Sequence, residues 1–484
     1  MSPKLLARVG LARLRLPSPS IKMEVITAAA AAIQNVETRE VAVAALIEEI
    51  RASKLESESL EALSVFFLTG SLGVENDLAI RTAVRYPSIL SEIIIQEALR
   101  TSLAVPTWVN CHSGTVPEFH NLDALLEELE RGDIVPPILK RKMRALGREL
   151  GTSMLKQWAY EMECLVSRAG DLPTGHWMYF SDSRDEEIRA YIPPRSHLAR
   201  SAYLRALAYA FDVLDARYDT VRDCALATCP IDFFICRMGN GSKRQAPLAR
   251  LDMPHGDGAT RSFVEQTVKD VEELHGRDVW HLSSIFPKTP THSGEFDVAT
   301  VVHDGPAPEG GDASRSLDAM LGRLVAPRQA DHSILVPQRA DVPVLPSNGG
   351  CFVPALIPVF GSYAGYLHSE LISRPAFLPT NLASKTPIAA KARAGGAAIS
   401  VGGDEIGSLE VALRDWRPSH SKGLGGNSVV LLSLVPSAKK LLLGPWASKC
   451  TRVWSATVRT RTKDYGDWIT ETFAGELPFS TGQD

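Results

Sequence analysis

Acidic side chains are missing from two stretches of this chain. From Trp416 to Lys463 there is no Asp or Glu, while nine cations stand there: Arg417, Lys422, Lys439, Lys440, Lys449, Arg452, Arg459, Arg461 and Lys463. The first residues repeat the pattern, with Lys4, Arg8, Arg13, Arg15 and Lys22 all ahead of the first acid, Glu24. Of 56 acids the two windows hold none, yet the whole chain carries a net −4, so the remainder is markedly acidic. Segregation of this kind points to a polyanion partner, because clustered Lys and Arg displace counterions from a phosphate backbone.

Other scarcities narrow the class. The seven cysteines (Cys111, Cys164, Cys224, Cys229, Cys236, Cys351 and Cys450) are scattered and odd in number, which argues against a disulfide scaffold and for reduced thiols. The longest uncharged apolar stretch, Val342 to Tyr366, is broken by Pro343, Pro346, Pro354 and Pro358 and by four glycines. A spanning helix needs about 20 residues without such breakers, so strands and turns are expected there, and no membrane partner. The apolar start of the chain is interrupted by Arg8, Arg13 and Arg15, which argues against a secretory signal. Its Arg, Ser and Leu content without acids does match a transit peptide, so residues 1–23 read as a basic arm, a cleaved mitochondrial leader or a plain disordered terminus.

What is present is ordinary for a globular chain: 45% hydrophobic and 22% charged residues, with aromatics sparse at 7%. At 484 residues there is room for two to four domains, or for one multi-lobed, shell-like subunit. The periodicity predicts an α+β protein, with a helical segment over 24–230 and a mixed segment over 231–303. A loop follows at 304–315, then a strand-rich basic region over 316–484.

Within the helical part, Val43, Leu46, Ile47 and Ile50 share a face, and so do Leu122, Leu125, Leu126 and Leu129, with Asn121 placed to cap. Ser53 and Glu56 have capping-box spacing. Ser88 to Arg100 is apolar on several sides and reads as a central helix. Further helices are expected after Pro136–Pro137 through Leu150, over 152–168, and over 196–216. Ile231–Met238 reads as a buried strand. Arg261–Leu274 is an amphipathic helix, and a short helix is expected at 316–325. Val279–Phe286, Phe296–His303, Ser428–Val435 and Thr451–Arg461 read as strands. In the last of these, Arg459 and Arg461 take one face, and Trp454, Ala456 and Val458 the other.

Several strings carry candidate chemistry. Cys224, Cys229 and Cys236 have intervals unlike paired zinc ligands, and read as core thiols. Cys111 and His112 are neighbours, which rarely face each other as a nucleophilic dyad must. His255, Asp257, His292, Glu295, Asp297, His303 and Asp304 contain the donors for a metal site, although Gly-flanked His and Asp also make ordinary turns. Ser421–Ser428, SKGLGGNS, lacks the ending of a phosphate-binding Walker loop and reads as a hairpin loop. Gly402–Glu405, GGDE, resembles the acidic turn of polymerase-type motifs, but reads as a tight hairpin turn.

The basic window, with Trp416, Trp446 and Trp454 interleaved, permits phosphate contact with base stacking. Together these features suggest a structural, self-assembling protein bound to nucleic acid without sequence preference, with no cofactor and with itself as partner. The concrete version is a coat (capsid) protein packaging RNA, in the virion or the cytoplasm. Such a subunit is similar in general type, not in motif, to coat proteins of double-stranded RNA viruses of fungi. The alternative is a metal-dependent enzyme on a phosphorylated or nucleic-acid substrate, using the 255–304 cluster. A mitochondrial matrix protein is a third reading.

Overall fold

A computed structural model describes residues 2–69, 76–101, 106–131, 134–172, 192–238, 254, 256–285, 291–304, 334–336, 345–347, 350–358, 365–367, 376–393, 396–413, 428–462 and 466–479. The chain is α+β and divides into two compact units. One comprises Met1–Asp232 with Tyr363–Ser369; the other comprises Phe233–Ser362 with Glu370–Asp484.

The first unit is helical among its described residues: α1 (Pro3–Ala12), α2 (Pro19–Gln34), α3 (Arg39–Ala52), α4 (Glu56–Thr69), α5 (Asp77–Ala83), α6 (Ile89–Leu99), α7 (Asp123–Arg131), α8 (Pro137–Leu150), α9 (Met154–Ala169), α10 (Pro194–Val213) and α11 (Tyr218–Leu226). Local chemistry sets several ends. Ser88 and Ser91 cap α6 reciprocally, each hydroxyl accepting from the other's backbone N–H at 3.1 and 2.8 Å. Asn121 accepts from the Asp123 N–H at the start of α7 at 2.9 Å. Ser53 instead closes α3, donating to the Glu49 carbonyl. It is Glu58, reaching back to the Lys54 and Leu55 N–H groups, that secures the start of α4, so the expected Ser53–Glu56 box does not form.

Helices α6 and α10 are buried on nearly all sides, as their lack of a polar face requires. Trp158 of α9 donates to the Ala199 carbonyl of α10 at 2.7 Å and packs edge-on against Tyr203.

The loop joining α8 to α9 is tight. Gly151 takes a left-handed φ of 68°, and the N–H groups of Gly151 and Thr152 both reach the Gly147 carbonyl. A Cβ at Gly147 would stand 2.5 Å from the Thr152 carbonyl oxygen.

The second unit contains α12 (Phe233–Met238), α13 (Asp257–His275) and α14 (Ser437–Leu443). Its strands are β1 (Asp278–Ile285), β2 (His292–Asp304), β3 (Ile334–Val336), β4 (Leu345–Ser347), β5 (Gly350–Pro354), β6 (Leu356–Pro358), β7 (Phe377–Pro379), β8 (Ile388–Arg393), β9 (Gly396–Val401), β10 (Asp404–Leu413), β11 (Ser428–Leu434), β12 (Cys450–Thr460) and β13 (Ile469–Leu477). Eleven of them form one sheet, ordered β13-β12-β2-β1-β11-β10-β9-β8-β3, with β5 also on β2 and β4 on β5. Every recorded pairing is antiparallel.

Successive residues of a strand point to opposite faces, and here both faces are covered. Val429 and Leu431 of β11, with Trp454, Ala456 and Val458 of β12, meet Val264, Val268 and Val271 of α13. Val430, Leu432 and Leu434 point the other way, into a core shared with Leu356, Phe377, Leu442 and Leu443. This explains why Ser428–Leu434 is apolar without alternation.

The expected strand at Ile231–Met238 is instead the short helix α12, whose Phe234, Ile235 and Met238 enter that second core at helical spacing. An apolar run this short fits either period, and the tertiary core decided it. β4, β5 and β6 lie where turns and strands were expected between Val342 and Tyr366. The 304–315 loop beyond Asp304 and the 316–325 helix lie outside the described residues. Among the described residues, no helix is long and apolar enough to cross a membrane.

Substituting Ala at Gly147 should cost about 1–3 kcal/mol, because the new methyl group is driven into backbone that cannot yield. The thermal midpoint of Gly147→Ala against wild type checks this. Gly151→Ala, which meets no atom but is strained by its positive φ, should cost about 1 kcal/mol.

Candidate nucleic-acid interface

The structure separates the six described cations of the acid-free window. Arg417, Lys422 and Lys463 lie outside the described residues. Lys439 and Lys440 stand on α14, and Lys449 ends the 3-10 turn Gly444–Lys449 that follows it. Lys440 and Lys449 are exposed, and Lys439 is half-buried. The Lys439 ammonium lies 4.7 Å from the centre of the Phe479 ring, and that of Lys449 5.2 Å from Trp446. Arg459 lies at the far end of β12 and Arg461 just beyond it, roughly 30 Å away at the rise of an extended strand. There Arg459 approaches Glu295 at 3.6 Å, and Arg461 lies 4.4 Å from Trp468. Among the described residues, the exposed cations of the window therefore fall into two groups, one around α14 and the turn after it and one at the far end of β12.

Arg452 drops out of the interface. It is only 3% exposed, on the α13 side of the sheet. Its guanidinium pairs with Glu272 of α13, donates to the Pro478 carbonyl and stacks on Phe479. The alternation that buries Trp454, Ala456 and Val458 buries Arg452 too, because all four share parity on β12.

The N-terminal cations are likewise engaged. Residues 3–23, read as part of a basic arm, form α1, a 3-10 turn and the start of α2. Lys4 and Arg8 approach Glu48, Arg13 approaches Glu24, and Arg15 donates to Glu49. Lys22 is fully buried against Glu61.

The expected metal donors do not converge. His292, Glu295, Asp297 and His303 are strung along the single strand β2, and its extended backbone spaces them out. Asp257 opens α13, and His255 lies outside the described residues. Among the described residues no three His, Cys, Asp or Glu side chains are grouped to hold a metal ion. Cys224 and Cys229 are buried thiols, and burial pushes the Cys224 thiol up to about 11. His112 turns to Asp212 at 2.9 Å, while Cys111 contacts the Thr107 carbonyl, so the two form no dyad. Gly402 and Gly403, both at positive φ, make the two-residue turn between β9 and β10, and Glu405 beside it pairs with Arg393. SKGLGGNS lies outside the described residues, apart from Ser428.

Sequence reasoning missed a polar cluster at the centre of the first unit. Ser57, Glu61, His197 and Lys22 meet there, all buried. Residue types alone resemble a Ser–His–carboxylate relay, but the proton assignment does not. The Ser57 hydroxyl donates to the His197 carbonyl at 2.9 Å, so it accepts from Nδ1–H at 3.0 Å. Nε2 is then left as an acceptor facing the Lys22 ammonium at 3.4 Å. The hydroxyl is satisfied and 1% exposed, which fits a structural junction and not a nucleophile. Burial first, then Lys22 and Arg200, hold the imidazole well below its ordinary 6.5. Nothing in the spacing of these residues marks them, since they come from α2, α4 and α10.

No protein-family model matches the chain, and comparison with curated proteins finds no similar sequence.

Two outcomes follow from these buried groups. Because His197 binds a proton less readily folded than unfolded, its contribution is complete above about pH 6.5 and is lost as pH falls below that. Stability should therefore fall, from this group, as the pH drops from 6.5 toward 5. Thermal midpoints across that range should drop more steeply in wild type than in His197→Gln; parallel curves would refute the assignment. Separately, Arg452→Met should destabilise by about 3–5 kcal/mol by taking the guanidinium from the half-buried Glu272, and Arg452→Met with Glu272→Met should recover part of it. Calorimetry on the three proteins measures both.

Proposed function

We propose that this chain is a structural, self-assembling protein that binds RNA through its phosphate backbone without reading sequence, most concretely as the coat subunit of an RNA virus. One observation carries the reading. Within a stretch free of acids, Lys439, Lys440 and Lys449 stand on two consecutive short helical turns, with Lys449 5.2 Å from the half-buried indole of Trp446. Cations with an aromatic ring among them suit a single strand, because phosphate contact and base stacking are both indifferent to sequence. Arg461 beside Trp468 repeats the combination at the far end of β12. Self-association draws support from α1, where Leu5, Leu6 and Val9 are exposed on neighbouring turns, and from Phe119, which is 92% exposed.

RNA affinity should fall linearly on a log–log plot against salt. Lys440→Ala, Lys449→Ala and Arg461→Ala combined should make that slope shallower by about 2, at about 0.7 per phosphate contact on a single strand. Fluorescence anisotropy with an unstructured oligoribonucleotide measures this. Binding that ignores salt refutes the proposal. Native protein should elute as a megadalton particle whose 260 nm absorbance survives nuclease, and a nucleic-acid-free monomer would contradict the coat reading.

A further inference from the structure

We infer that the first unit carries its own phosphate-binding groove, on α8, which holds the backbone of the same RNA. The inference rests on the RNA-binding reading above and adds a contact that the acid-free window does not contain.

The sequence PILKRKMRALGREL places Arg141, Arg144 and Arg148 at positions i, i+3 and i+7, which is one face of a helix. The opposite face holds Leu139, Met143 and Leu146 in the core, so the arginines are turned to solvent by the burial of their neighbours. The three line an open groove of about 780 Å³. Thr152 and Ser153 line it as well, brought there by the tight turn at Gly147 and Gly151, and Met143, Met154 and Leu155 form an apolar floor. Arg144 is already committed, with one guanidinium nitrogen 2.5 and 2.6 Å from the two oxygens of Glu130. Arg141 and Arg148 are exposed, and neither has an ion-pair partner among the described residues.

The geometry favours a chain of phosphates over a single anion. Seven residues of helix separate Arg141 from Arg148, about 10 Å along the axis. The three arginines therefore leave the helix along a line, which suits a chain of phosphates better than an isolated one. Each guanidinium presents a planar fork of donors that matches phosphate oxygens. Thr152 and Ser153 add hydroxyls of the kind that position a backbone without reading bases.

The test is the salt dependence of binding to an unstructured oligoribonucleotide, by fluorescence anisotropy, on the full-length protein. Two free arginines predict that Arg141→Gln with Arg148→Gln makes the log–log slope shallower by about 1.4. Arg141→Lys with Arg148→Lys should keep the wild-type slope, since charge and not shape sets it. The thermal midpoint should stay unchanged in both, because neither residue holds the fold together. If wild type binds RNA and the glutamine variant keeps its slope, the groove inference is overturned while the RNA-binding reading stands. If wild type binds no RNA at any salt concentration, both fall.

Discussion

The helical unit depends on one buried ion pair. Lys22 donates to Glu61 and to the Leu14 carbonyl, and Tyr366 donates to the other Glu61 oxygen at 3.0 Å. Burial pushes the Glu61 carboxyl up, while Lys22 and Tyr366 pull against it. Such a pair is tolerated only when every partner is in place, since removing one leaves a charge stranded in a medium that cannot solvate it. The constraint propagates. His197 must stay neutral beside Lys22, its ring fixes Ser57, and Ser201 donates to Ser57 in turn. Arg200 spans Tyr366 and Thr228, which ties α10 to a segment more than 130 residues further along the chain.

A second buried cluster repeats the logic. Glu161 accepts from the Ser113 N–H and from Arg205, while Arg168 donates to Glu56 and lies 3.7 Å from the centre of the Tyr86 ring. Part of the charge in this unit is thus turned inward. The same is true of Arg452 in the sheet unit, where a cation from the acid-free window serves the core. A run of basic residues in sequence is therefore an upper limit on a basic surface. Surface charge is what remains after the fold has paired its share, and α8 contributes exposed cations that no inspection of charge runs had singled out.

Much of the scaffold was readable in advance. Helices with caps and one apolar stripe, such as α7 and α8, announced themselves because their signals are local. The strands β11 and β12 were readable for a related reason: their apolar content is high and their length is right for strands. The helix α12 was misread because so short a mainly apolar run fits either period. The cluster around His197 was invisible, since its members lie up to 175 positions apart and each looks ordinary alone.

By itself the sequence determined the α+β division, the placement of several helices and strands, and the segregation of charge, because these follow from neighbours a few residues apart. Only the tertiary structure decided which cations reach solvent and which are buried, and that the β2 histidines and carboxylates stay apart along one strand. It also decided that Tyr366 completes the ion pair of a unit built from the first 232 residues. Those outcomes depend on which distant side chain arrives opposite each charge. In a low-dielectric interior that arrival is what separates a stabilising pair from an intolerable one.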